Sequence, residues 1–136
     1  MTQLKQATGP QFSRILAIGG VRGDAVVTND DIAGPIDSSD EWIRQRTGIV
    51  TRRRATGEVD VLDLATAAAE DALKHAGLTG ADIDAVILST VTYFAQTPAG
   101  AAIVADRIGA TPAPAYDISA ACAGYSYGIG QAAALV

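Results

Sequence analysis

The sequence predicts a layered α/β fold, and three stretches carry that expectation. Ala85-Val86-Ile87-Leu88 is a continuous apolar run that suits a strand covered on both faces. Ala65, Ala68, Ala69, Ala72, Leu73 and Ala76 repeat at helical spacing. Ala115 to Ile118 reads as a further strand, which feeds small residues and then a helix opened by Cys122. Strands alternating with helices in this order favour a parallel-rich sheet with helices packed on its faces.

Taken in order, Met1 to Phe12 reads as a leader, and residues 13–136 as one structural unit. Ser13 to Val21 holds a short apolar run that ends in Gly19-Gly20, as a strand followed by a turn would. Asn29 and Asp30 cap a short helical turn before Gly34-Pro35. Ser38-Ser39-Asp40-Glu41 supplies an N-cap and first-turn acids for a helix through Arg46, with its stop near Gly48. Ile49 to Arg54 suits a short strand. The long helix starts at Asp60 and is closed by Gly77. A turn over Ala81–Asp84 leads into the apolar strand, a polar loop spans Ser89–Thr97, and Pro98 starts a helix through Ile108. The last helix reaches Val136 with no stop signal, so the sequence reads as cut within a domain.

Composition narrows the function. Of the 136 residues, 49% are hydrophobic and 18% charged, which fits a soluble folded protein rather than a disordered one. A net charge of −5 argues against general nucleic-acid binding, which needs a basic face. One cysteine forms no internal disulfide, so a reducing cytoplasm fits best. No signal peptide is visible, and no apolar stretch is long enough to span a bilayer. One His and one Cys leave a structural zinc site without enough soft ligands, so no metal is expected.

Two constellations can carry chemistry. Cys122 stands where a strand gives way to a helix, and a helix N-terminus offers unpaired N–H groups and partial positive charge that favour a thiolate. A thiolate there is placed to attack a thioester carbonyl, with the same N–H groups holding the oxyanion. The bland alternative is a small buried hydrophobe. Trp42 and Arg46 are spaced i, i+4, so they share one helix face and form a stacking platform for a purine beside a clamp for phosphate. Five of the ten basic residues (Arg44, Arg46, Arg52, Arg53 and Arg54) fall in this segment, which points to a multiply charged anionic ligand. Its bland alternative is a Trp anchoring the helix to the core beside surface arginines.

His75, the single histidine, lies near the end of the long helix beside Asp71 and reads as structural, which leaves Cys122 without a general base. The glycines at 19–20 and 124–130 do not match a phosphate-binding fingerprint. Asp30-Asp31 and Glu70-Asp71 read as caps and solvated faces, and the loop Thr92–Thr97 as a surface turn that can reach a ligand or partner.

Several stretches together resemble the β-ketoacyl-acyl carrier protein synthase III family, which starts bacterial fatty acid elongation. They are Val27-Thr28-Asn29, Ile36-Asp37-Ser38-Ser39-Asp40-Glu41-Trp42-Ile43, Arg46-Thr47-Gly48-Ile49, Arg53-Arg54, Thr97-Pro98 and Asp117 to Tyr125. The resemblance implies a thiolase-like α/β/α fold, of which this chain carries the first half only. It implies that Cys122 takes the acyl group from an acyl-CoA primer, with its own N–H in the oxyanion hole. By the same likeness Trp42 stacks on the CoA adenine, Arg46 contacts phosphate and Ser38 stands near the adenine. Thr97 falls where a loop residue reaches the acyl channel of the other subunit of a homodimer, and a small residue there implies a longer primer. CoA thioester is then a substrate, no cofactor is expected, and malonyl-acyl carrier protein is the second partner. The family's catalytic His and Asn have no counterpart in this sequence. Two other readings stay open: a non-catalytic half-domain that binds CoA or a partner, and a related acyltransferase that starts polyketides or forms esters.

Overall fold

The computed structural model describes residues 12–136, which group into two compact units. One comprises residues 21–60, and the other joins the described residues up to Gly20 with residues 61–136. Apart from an exposed Phe12, the expected leader lies outside the described residues.

In the smaller unit, β1 (Ala25–Thr28) is followed by α1 (Asp30–Ala33), a 3₁₀ turn over Gly34–Ile36, α2 (Asp40–Thr47) and β2 (Thr51–Arg54). β1 and β2 pair antiparallel, with Ala25 opposite Arg54 and Thr28 opposite Thr51. The expected strand near Ile49–Arg54 is present, but it joins this separate ribbon rather than a parallel sheet. Its partner β1 carried no strand signal strong enough to read. Alternation of exposure along Ala-Val-Val-Thr is shallow, and pairing across more than twenty residues supplies what local pattern does not.

In the larger unit, α3 (Val61–Ala76) leads through a 3₁₀ turn at Gly80–Asp82 to β3 (Val86–Ser89). There follow α4 (Gly100–Arg107), β4 (Ala115–Ile118), a 3₁₀ turn at Ala121–Ala123 and α5 (Gly124–Leu135). β3 and β4 are parallel, with Ile87 opposite Tyr116 and Leu88 opposite Asp117. Side chains alternate across this sheet as strand geometry demands. Leu88 and Asp117 face α4: the α4 start at Gly100 is buried against Leu88 and Leu62, and the Asp117 carboxylate meets its backbone. Ser89, Tyr116 and Ile118 face α5, where Tyr116 donates to Gln131 (3.1 Å) and Ile118 reaches the backbone at Gly128. The result is a helix–sheet–helix sandwich, with α3 packed against α4. Its tightest core is Leu62, Ala101, Val104, Ala105 and Ala110.

Three expectations need correction here. Ser13 to Val21 is not a strand, because no strand among the described residues pairs with it. Its backbone is held instead by α3 side chains, Gly20 N–H donating to Asp71 (3.0 Å) and the Ile18 carbonyl lying 3.1 Å from His75 Nδ1. β3 has α4 on one face and α5 on the other, as expected, but the cover is partial: Val86, Ile87 and Leu88 are half-buried and Ser89 is exposed. Cys122 does not open an α-helix directly: it occupies the middle of the 3₁₀ turn, and α5 starts two residues later.

Candidate functional site

α2 forms as its sequence dictates. Ser39 Oγ accepts from the Trp42 N–H (3.1 Å), Asp40 and Glu41 occupy the positive first turn, and Arg44 and Arg46 the negative last turn. Gly48 ends it at φ 72°, a left-handed conformation that favours glycine, and donates to the Arg44 carbonyl (2.9 Å). Ile43 turns inward and is 6% exposed, whereas Trp42 is 54% exposed. The Arg46 guanidinium carbon lies 5.7 Å from the Trp42 ring centroid, within cation–π range. The indole is therefore an outward platform with a cation beside it, as the spacing predicts, and not a core anchor.

A depression of about 540 Å³ opens beside Trp42, lined also by Ile36, Asp37, Ser38 and Ser39. Ser38 Oγ is buried here with no hydrogen-bond partner among the described residues. Buried hydroxyls normally find a partner, so this oxygen is available to a ligand seated against the indole.

Asn29, which reads from the sequence as a cap, instead ties α2 to the ribbon. The Asn29 side chain makes no cap hydrogen bond to α1, and the residue is 1% exposed. Its Nδ2 donates to Asp40 Oδ1 (2.7 Å) and to the Ile49 carbonyl (2.8 Å), and its Oδ1 accepts from Arg52. Arg52 also donates to the Thr28 carbonyl (2.9 Å). The Asn29 amide, and then Arg44 at 2.6 Å, hold the Asp40 carboxyl below the usual carboxylate range. Hydrogen bonds from Thr28 do the same for Asp31.

Cys122 belongs to the larger unit. Its thiol is exposed and lines an apolar cavity of about 1080 Å³. The cavity runs between the sheet face bearing Ile87 and Tyr116 and the α5 face bearing Tyr125, Ile129 and Leu135. The chain reaches the sulfur through Ala121 at φ 46°, a left-handed backbone on a residue with a Cβ. Such a conformation costs on the order of 1 kcal/mol or more and persists only where its surroundings impose it. Gly124 then starts α5 against β3, and a Cβ there would sit 1.8 Å from Ser89 Oγ. Thus the parallel strands, the left-handed turn and the close α5–β3 approach present the sulfur at the mouth of the cavity, beside the N-terminal end of a twelve-residue helix.

The other expected residues are placed as follows. His75 stays on the margin of α3, bonded to Ile18 and 3.8 Å from Asp71, and is not among the residues lining the Cys122 cavity. Thr97 is exposed in the loop before α4 and does not line that cavity either. Trp42, Arg46 and Ser38 lie together in the smaller unit, Cys122 and Thr97 in the larger. Asp117 reads from the sequence only as part of the Asp117 to Tyr125 run. Its two carboxylate oxygens accept from the Gly100 (2.8 Å) and Ala101 (2.7 Å) N–H groups, and so cap α4 from the neighbouring strand.

No protein-family model matches the chain. Individual proteins do. A protein of Kocuria rhizophila is 55% identical over all 136 residues, and one of Streptomyces glaucescens 48%. Both are β-ketoacyl-[acyl-carrier-protein] synthase III. The relatives of this chain are β-ketoacyl-acyl carrier protein synthase III proteins. The chain spans about two fifths of their length, 38% of the first and 41% of the second. Solved structures agree. The priming β-ketosynthase of the R1128 polyketide pathway superposes with a TM-score of 0.86 at 40% identity, over 95% of this chain and 39% of that one. The β-ketoacyl-[acyl carrier protein] synthase III of Thermus thermophilus gives 0.81 at 45% identity, over 91% and 38%. The fold is therefore that of part of a thiolase-like condensing enzyme, as the sequence resemblance implies.

Proposed function

We propose that this chain supplies the acyl-accepting part of a cytoplasmic condensing acyltransferase that starts fatty acid synthesis. The Cys122 thiolate attacks the carbonyl carbon of an acyl-CoA. The carbonyl oxygen takes the negative charge and is held by N–H groups at the turn, including that of Cys122. The intermediate collapses by breaking the bond to the CoA sulfur, which leaves as a thiolate and takes a proton from solvent. An acyl-cysteine remains. In the second half-reaction malonyl-acyl carrier protein loses CO₂, and its carbanion attacks that thioester, forming a carbon–carbon bond and returning the Cys122 thiolate. His75, held by Ile18 and Asp71, takes no part in that step; by the family resemblance, the groups that assist decarboxylation belong to the part of the relatives that this chain does not span.

Trp42 stacks on the adenine of CoA, Arg46 takes a phosphate and Ser38 Oγ hydrogen-bonds the nucleotide. Thr97 serves a homodimer, reaching toward the acyl channel of a second copy, where its small side chain leaves room for a longer primer. The observation that carries the proposal is the exposed Cys122 thiol, presented on a left-handed turn at a large apolar cavity. Intact-protein mass spectrometry after mixing with acetyl-CoA tests it: an acetyl adduct is expected, and its persistence in Cys122→Ala removes the nucleophile. A second reading, a starter enzyme for polyketides, draws on the likeness to the R1128 priming ketosynthase. The two separate on the primer that acylates Cys122 fastest and the carrier protein accepted afterwards.

A further inference from the structure

We propose that Asn29 is the positioning residue of the Trp42–Arg46 platform, and so governs affinity for the nucleotide end of a CoA thioester without touching it. This rests on the reading of that platform as the nucleotide contact. One carboxamide grips both ends of α2: Nδ2 holds Asp40, its first residue, and the carbonyl of Ile49, two residues past its last. Oδ1 is pinned in turn by Arg52 of β2, whose other nitrogen holds the Thr28 carbonyl of β1. The helix bearing Trp42 and Arg46 is thus fixed to the ribbon through a single buried side chain with both its N–H donors and its carbonyl oxygen engaged. α2 has eight residues and one buried side chain, Ile43, so apolar packing alone constrains its rotation weakly. Rotation about its axis would turn the indole and the guanidinium out of register with an adenine and its phosphates.

The test uses the protein's single tryptophan and two substrates. Trp42 emission is titrated with CoA, and Cys122 acylation is timed with acetyl-CoA and with S-acetyl-N-acetylcysteamine, which carries the thioester but no nucleotide. In Asn29→Ala, the CoA concentration for half-quenching rises about tenfold or more, and the ratio of the two acylation rates falls by the same factor. Asp40→Ala, at the helix surface, shifts both in the same direction and keeps the test open if Asn29→Ala does not fold. Gln45→Ala, which removes an exposed contact to Glu41 on the same helix, leaves the ratio at the wild-type value. A merely structural role for Asn29 lowers both acylation rates alike and leaves their ratio intact, which overturns the inference. Wild-type emission that ignores CoA overturns the platform reading itself, a different outcome from a responsive wild type with unaltered variants.

Discussion

The two units solve the same problem, presenting one exposed side chain in a fixed direction, by different physics. Around Trp42 the framework is polar: a buried amide, a depressed carboxylate and an arginine lock a short helix onto a two-stranded ribbon. Around Cys122 the framework is packing: two parallel strands, helices on both faces, and backbones pressed together where a side chain would not fit. Polar locks are directional and few, so each member matters and the arrangement responds to pH. Packed layers spread the load over many contacts and respond to volume. On the proposed function, the platform needs orientation to meet a nucleotide, whereas the nucleophile needs a fixed distance from the cavity walls. Each unit uses the device that suits its exposed residue.

The largest expected effect is on the packed side. Gly124→Ala places a methyl on Ser89 and lowers unfolding stability by about 1–3 kcal/mol, read by thermal or urea denaturation. Ser89→Gly in the same chain restores most of it. Were Gly124→Ala neutral, close approach would not be what sets α5 against β3. Next comes Asp117→Ala, which strips two N–H groups at the start of α4 of their acceptor and costs about 1 kcal/mol. Asp117→Asn, which keeps one acceptor, lies between that variant and wild type in the same denaturation series.

On the polar side the comparison is sharpened by acid. The Asp40 carboxyl is held low in the fold, so its contribution is present above the ordinary carboxylate value of about 3.9 and disappears as pH falls through its folded value. Trp42 emission therefore holds steady down through that ordinary range and changes below it. In Asn29→Ala, which removes the largest cause of the shift, the change begins at higher pH. A transition at the same pH in both proteins would separate Asn29 from Asp40. The smallest effect is on selectivity alone: Thr97→Phe shortens the primer that acylates Cys122 fastest with little change in stability. An unchanged preference in a chain-length series removes Thr97 from the acyl channel.

How much of this was legible in the sequence follows the same division. α2 was readable with a cap in the Ser38-Ser39-Asp40-Glu41 run, which the structure resolves to Ser39, and a stop near Gly48, because those signals are local. So was α3, whose end is sealed by the Leu78 N–H donating to the Leu73 carbonyl. β3 and β4 were visible as apolar runs, and Cys122 and Trp42 as unusual residues in telling places. Asn29 was not, because its burial is set by partners 11, 20 and 23 residues away, while its neighbours Asp30 and Asp31 mimic a cap. Asp117 caps a helix that precedes it by sixteen or seventeen residues, a relation no local window contains. The run over Ser13–Val21 misled for the opposite reason: its composition suits a strand, but a strand also needs a neighbour.

Mixing the protein with one equivalent of acetyl-CoA and following free CoA thiol, with peptide mapping of the quenched product, tests the central claim most directly. The account predicts release of one CoA per chain, with the acetyl group on the peptide containing Cys122 and a bond that hydroxylamine cleaves. CoA release without label on that peptide, or equal release from Cys122→Ala, would contradict it.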